Sequence, residues 1–188
     1  IRRQRQMCIR DRNNIFPTIF QIYRDANPKA EIGVLSEWAG IQFLVDTLST
    51  DYHAVAPDYN KFPTALCEMA EKYIKENKPS LVAICFDNPD HVGHKEGHDT
   101  PAYYSKLEEL DGYIARIVAA VKEAGMYDDT IFIITSDHGG IKKGHGGKTM
   151  AEMQTPFIIA GKNIKKAGEF QESMVQYDVA ATMAYIFG

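Results

Sequence analysis

Residues 80–98 read SLVAICFDNPDHVGHKEGH. A continuous apolar run of strand length (80–86) gives way abruptly to a polar segment rich in histidine and glycine. An apolar run without alternation is what a strand covered on both faces requires. The same grammar recurs at residues 130–147, TIFIITSDHGGIKKGHGG, where the run 130–135 precedes a second polar loop. Between them lies the clearest helical signal in the chain. Thr100 suits an N-cap and Pro101 the first helical position. Tyr103, Leu107, Leu110, Ile114, Ile117, Val118 and Val121 then recur at spacings of three and four, until Gly125 stops the helix.

Working outward, residues 32–35 form a short β-type run. Residues 38–48 place Trp38, Ile41, Leu44, Val45 and Leu48 at helical spacing, with Trp38 assigned to core packing. Residues 63–77 carry Leu66, Met69, Ala70, Tyr73 and Ile74 on one face and end before Pro79. Residues 156–160 (PFIIA) read as another strand and 177–187 as a final amphipathic helix, with Asp178 at its start, where a carboxylate complements the helix dipole. Strands alternating with helices indicate an α/β layered sheet, not a bundle or sandwich. The polar segments 87–99 and 136–152 are expected to be long loops after strand ends, where open α/β sheets place ligands.

The chain has 188 residues, a length suited to one domain with a substantial core. The formal net charge of −4 argues against a nucleic-acid-binding surface. No apolar run reaches the roughly 18–20 residues that span a bilayer. Residues 1–12 (IRRQRQMCIRDR) hold most of the chain's arginines. They lack the apolar stretch of a secretory signal. They read as a non-native or disordered tail, an assembly or read-through artefact, with a basic targeting arm as the alternative. The fold is therefore expected within 13–188. Cys8, Cys67 and Cys85 make no disulfide framework, and Cys85, inside an apolar run, reads as a small buried hydrophobe.

Five of the six histidines lie in or beside the two polar segments. In DHVGH, Asp90 and His94 are separated by three residues, and Gly93 is expected to let the backbone turn so that both face one point. A carboxylate and an imidazole so placed suit zinc or manganese. Asp137 and His138 are adjacent, and neighbours on an extended chain point to opposite sides. They grip one metal only if the strand has ended there, or they serve two sites close together. His145 follows in a glycine-flanked loop. Either cluster alone could be a turn or a solvated surface. Both together, each directly after an apolar strand, point to a metal site.

The order D-x-x-x-H at Asp90–His94, then Ser-Asp137-His138-Gly, then Gly-His145-Gly, resembles the type I phosphodiesterase/nucleotide pyrophosphatase branch of the alkaline phosphatase superfamily. The likeness runs from about Pro17 to the end and includes Glu152-x-x-x-Pro156 before the last strand. It implies an alkaline phosphatase-like three-layer α/β/α fold with a central, mostly parallel sheet, of which the N-terminal part is missing here. It implies two divalent ions, zinc above others. Asp90, His94 and His145 would hold one, and Asp137 and His138 would contribute to the other. Asp87 is the rival to Asp90. His98 and Lys142 are candidates for touching substrate or supporting the ligands, while Lys143 and Lys148 read more simply as solvated charges and His91 as solvent-facing.

The resemblance also implies a Ser or Thr nucleophile and a further Asp ligand from earlier in the sequence. Nothing between Asp11 and Asn60 matches that motif, so the nucleophile is expected upstream and this chain is expected to have little or no turnover alone. In the full-length protein the hydroxyl would attack phosphorus and form a covalent phospho-enzyme, and two metals would stabilise the attacking and leaving oxygens. The expected substrate is a small phosphate ester or nucleotide. Sulfatases and cofactor-independent phosphoglycerate mutases of the same superfamily are alternatives, as is a non-catalytic, metal-stabilised domain. Against the last, structural zinc sites are usually closed and cysteine-rich, and no cysteine accompanies these ligands. Relatives of this kind are often exported, which leans the localisation towards periplasmic or extracellular.

Overall fold

The structure, a computed structural model, describes residues 17–169 and 172–188. The basic tail at 1–12 lies outside the described residues. The chain divides into two compact units. The first comprises the described residues up to Tyr73 together with Asn77–Cys85 and Ser173–Gly188; the second is Phe86–Glu172 with Ile74–Glu76.

The first unit is built on a parallel three-stranded sheet flanked by helices. Helix α1 (Ile19–Ala26) is capped by the Thr18 hydroxyl, which accepts from the Gln21 amide. Strand β1 (Ile32–Ser36) follows, then a 3-10 turn (Ala39–Phe43), β2 (Tyr52–Val55), α2 (Ala65–Asn77) and β3 (Leu81–Cys85). The sheet order is β2-β1-β3, all parallel, with Val34 opposite His53 on one side and Ala83 on the other. Parallel neighbours need crossover connections, which α2 and the 3-10 segment supply. Central β1 is buried along its whole length. Its Ile32, Val34 and Leu35, with Leu66, Cys67, Ala70 and Tyr73 of α2, are among the buried apolar side chains. Burying Ile32, Val34, Leu35 or Leu66 contributes about 1.5–3 kcal/mol each.

Arg24 of α1 fastens the start of this sheet. Its guanidinium donates to the carbonyls of Pro28, Ala30 and Ser49 and pairs with Asp51, whose Oδ2 also accepts from the Ile32 amide. The last helix of the chain (Asp178–Phe187) returns to α1, the Phe187 and Tyr23 rings meeting at 4.1 Å. Asp178 opens that helix as expected, its carboxylate accepting from the Val175 amide.

Residues 38–48 differ from expectation. They form only the 3-10 turn, and Trp38 is 59% exposed instead of joining the core. Its indole folds over its own turn, so close to Gly40 that a Cβ there would stand 2.3 Å from the ring. Of the periodic set, only Val45 is buried. Cys85 is half-buried, whereas Cys67 is fully enclosed.

In the second unit, the segment expected as a loop at 87–99 contains a short helix, α3 (Asp90–Glu96). Helix α4 (Pro101–Glu123) begins as its sequence demands, with Thr100 Oγ1 accepting from the Tyr103 amide and Pro101 in the first turn. It ends before Gly125, at φ +72°, a left-handed conformation that glycine adopts without strain. Strand β4 (Ile131–Thr135), the single-turn helix α5 (Met150–Met153) and β5 (Phe157–Gly161) complete the unit, leaving the chain's final helix as α6. Strands β4 and β5 pair antiparallel, with Ile133 opposite Ile159. Both are half-buried or exposed along their length.

Candidate metal centre

Helix α3 is what brings Asp90 and His94 together. The i, i+4 spacing places them on one face of a helix, and His94 Nε2 stands 3.2 Å from Asp90 Oδ2. The loop after β4 brings the third member. His145 Nε2 lies 3.1 Å from His94 Nε2 and 3.7 Å from Asp90 Oδ1. These three residues form a cluster whose ligand atoms all fall within 4.8 Å of one another.

The donor set fits a divalent cation. Asp90 Oδ1 is buried and has no hydrogen-bond partner, an arrangement that costs free energy unless a charge is supplied there. Zinc–nitrogen and zinc–oxygen bonds of about 2.0–2.2 Å in a tetrahedral site separate ligand atoms by about 3.3–3.6 Å; the two Nε2 atoms stand at 3.1 Å, and the three ligand atoms lie within 4.8 Å of one another. The ring orientations agree. The Lys143 carbonyl lies 3.0 Å from His94 Nδ1 and can only accept, so Nδ1 carries the proton and Nε2 is left bare. His138 is fixed in the same way, Nδ1 donating to the Gly139 carbonyl at 2.8 Å.

His138 sits beside the cluster, its ring stacked on His145 at 3.7 Å between centroids. Asp137 is less engaged. Its side chain is 86% exposed, and it accepts from the His138 amide at 3.1 Å. β4 has ended at Thr135 before this pair is reached, so the constraint on neighbouring side chains in an extended strand does not apply. Among the described residues, Asp137 and His138 belong to no three-ligand group. The structure therefore gathers Asp90, His94 and His145, sets His138 against them, and leaves Asp137 on the outside.

The remaining candidates fall as follows. His98, whose side chain is 6% exposed, lies behind Asp90 with Nε2 3.7 Å from Oδ1. Tyr103 leans on the His98 ring, and burial, reinforced by the Asp90 charge, pushes its phenol up from the ordinary range. Lys142 engages through its backbone, its carbonyl accepting from His98. Lys143 caps α3 from the side, Nζ donating to the Lys95 carbonyl at 2.7 Å. His91 is half-buried instead of solvent-facing. Lys148 is exposed.

Gly93 does not form the turn expected of it. It is inside α3, and a Cβ there would stand 2.4 Å from the His98 imidazole; Gly140 meets the same ring from the loop side at 2.2 Å. Nor did the sequence reveal what Glu152 does. Its carboxylate accepts from the Gly147 amide and from the amide and hydroxyl of Thr149, closing the loop that follows His145. The Thr149 hydroxyl and then the Gly147 amide hold its carboxyl below the usual carboxylate range. The S/T-x-x-E pattern of Thr149–Glu152 is the sequence signature of this capping box.

An α/β chain in which Asp90, His94 and His145 could together hold a divalent ion is of the kind found in a superfamily of metal-dependent phosphoester-processing enzymes. The chain belongs to the type I phosphodiesterase/nucleotide pyrophosphatase family, whose sequence profile matches residues 20–167, and hence to the alkaline phosphatase superfamily.

The catalytic subunit of GPI ethanolamine phosphate transferase 2 from Homo sapiens is 27% identical over 137 residues, covering 70% of this chain and 14% of that protein. The 2,3-bisphosphoglycerate-independent phosphoglycerate mutase of Vibrio vulnificus (strain YJ016) is 30% identical over 163 residues, 83% of this chain and 30% of that one. The chain thus spans less than a third of either relative. A solved 2-O GAG sulfatase superposes with a TM-score of 0.63 at 16% identity, covering 81% of this chain and 48% of that structure, which is a likeness of fold. Among the described residues no helix is long and apolar enough to cross a membrane.

Proposed function

We propose that this chain supplies the metal-binding half of a two-metal phosphate-ester hydrolase acting on small esters or nucleotides. The observation that carries the reading is the convergence of Asp90, His94 and His145, from two distant stretches, around a carboxylate oxygen that is buried and unpartnered. Asp90, His94 and His145 hold one ion, and Asp137 with His138 contribute to a second, zinc being the ion this donor set favours. When bound, such a pair of ions supplies Lewis-acid stabilisation of the oxygens entering and leaving phosphorus.

The chain's own part is orientation. The carbonyls of Lys143 and Gly139 fix the His94 and His138 rings, so their Nε2 lone pairs are preset. His94 stays 48% exposed, leaving room for a substrate oxygen on the solvent side. On this reading a Ser or Thr hydroxyl, expected from the family likeness and not assigned among the described residues, attacks phosphorus. Its O–P bond forms as the bond to the ester's leaving oxygen breaks, the alcohol departs, and a phospho-enzyme remains for water to hydrolyse. The transferase and mutase relatives make transfer to an acceptor other than water the second outcome that a product assay would register.

Zinc titration of the chelated chain by calorimetry tests the core of the proposal. Saturable binding that His94→Ala and Asp90→Ala abolish is expected. A wild-type chain that binds no more than these variants overturns it. In the native full-length protein, His138→Ala is expected to remove phosphate-ester turnover while the circular dichroism spectrum is retained.

A further inference from the structure

His98 stands outside the ligand cluster, yet it touches both segments that carry ligands. Its ring is wedged between Gly93 of α3 and Gly140 of the loop after β4, and neither position has room for a Cβ against it. Its backbone N–H donates to the Lys142 carbonyl at 2.6 Å, and its Nδ1 meets the same carbonyl at 3.0 Å. A carbonyl only accepts, so Nδ1 is the protonated nitrogen. Lys142 itself sits at φ +52°, a left-handed conformation that non-glycine residues adopt only when their surroundings impose it. Two donors from one residue on one carbonyl are such an imposition. One residue further on, the Lys143 carbonyl accepts from His94, and His145 follows two residues after that.

We propose that His98 is a positioning residue that presets the Asp90/His94/His145 site by pinning the His145-bearing loop to α3 through the Lys142 carbonyl. The inference rests on the metal-binding reading above and adds a residue whose part in it is indirect. His98 Nε2 is 3.7 Å from Asp90 Oδ1, too far for a hydrogen bond. The effect therefore runs through the loop. Without the His98 imidazole, the segment from Ile141 to His145 keeps the His98 backbone bond and the two bonds of Lys143 to α3. It loses the Nδ1 tether and the ring wedged between Gly93 and Gly140, and is held less firmly. Each binding event must then order it again, and affinity falls by the cost of that ordering.

The test is zinc titration of the wild-type chain, His98→Ala, His98→Asn and His94→Ala, with circular dichroism on each. Partners that orient metal ligands typically change affinity about 10–100-fold when removed. His98→Ala is expected to weaken binding by about that factor. His98→Asn, whose side-chain amide nitrogen occupies nearly the place of Nδ1 and can donate to the Lys142 carbonyl, is expected to regain most of it. A merely space-filling role predicts little recovery in His98→Asn, since asparagine restores the donor but only a small part of the bulk of the ring. Wild-type affinity in His98→Ala overturns the proposal, as does His98→Asn binding no better than His98→Ala. If His98→Ala does not fold, the folded His98→Asn is compared with wild type, and a loss of more than tenfold overturns it. A wild-type chain that binds no zinc sinks the metal reading itself, a result distinct from any of these.

Discussion

At the scale of single residues, Gly93 gives the sharpest expectation. Replacing a glycine inside a helix by alanine ordinarily stabilises by about 0.8–1 kcal/mol. Gly93→Ala is expected to destabilise instead, because the new methyl would lie 2.4 Å from the His98 ring. That ring cannot swing away cheaply, being 6% exposed and tethered to the Lys142 carbonyl. Overpacking of this kind costs about 1–3 kcal/mol, which exceeds the helical gain. A urea-unfolding midpoint that rises in Gly93→Ala would remove His98 from its place behind the cluster. The candidates themselves were legible in the sequence, as aspartate and histidine concentrated after apolar strands, and Asp90, His94 and His145 do come together. Their support was not. The contact of Gly93 and Gly140 with one imidazole joins residues distant in the chain, and no periodicity records such a meeting.

At the scale of elements, α4 was readable because 23 residues of apolar period, an N-cap hydroxyl and a terminal glycine all agree. Helix α3 was not, because seven residues containing a glycine and two histidines carry no period. The opposite error arose at residues 38–48. Their spacing marks side chains able to share a face, but whether anything covers that face is decided by tertiary structure, and Phe43 remains 82% exposed. Strand β2 carries a pH expectation. Burial lowers the pKa of His53 from 6.5, and its Nε2 is enclosed without a partner. The unfolded chain therefore takes up a proton at a higher pH than the folded one. Stability is present above about pH 6.5 and declines as the pH falls through the folded-state value. His53→Gln removes this contribution, so the loss of stability between pH 7 and 5, followed by urea unfolding, is expected to be shallower than in wild type. An unchanged slope would mean that His53 titrates alike in both states.

At the scale of the whole molecule, the proposed metal site would couple ion binding to folding. His94 and His145 stand 51 residues apart in sequence, and the unfolded chain has no reason to hold them together. A divalent ion that binds only the folded form stabilises it by mass action, by about 2.7 kcal/mol at a free concentration 100 times the dissociation constant. For a chain of this size each kcal/mol moves the thermal midpoint by roughly 2–4 °C. Excess zinc is thus expected to raise the midpoint by roughly 5–10 °C over the chelated protein, and His94→Ala to abolish the rise. Glu152→Ala is a graded control: it leaves all five proposed ligands in place but removes the bonds to Gly147 and Thr149 that close the loop after His145. Its zinc-induced rise is expected to fall between those of wild type and His94→Ala. Equal rises in wild type and His94→Ala would show that zinc acts elsewhere on the chain. A full rise in Glu152→Ala would show that the loop is held well enough by the bonds to α3 alone.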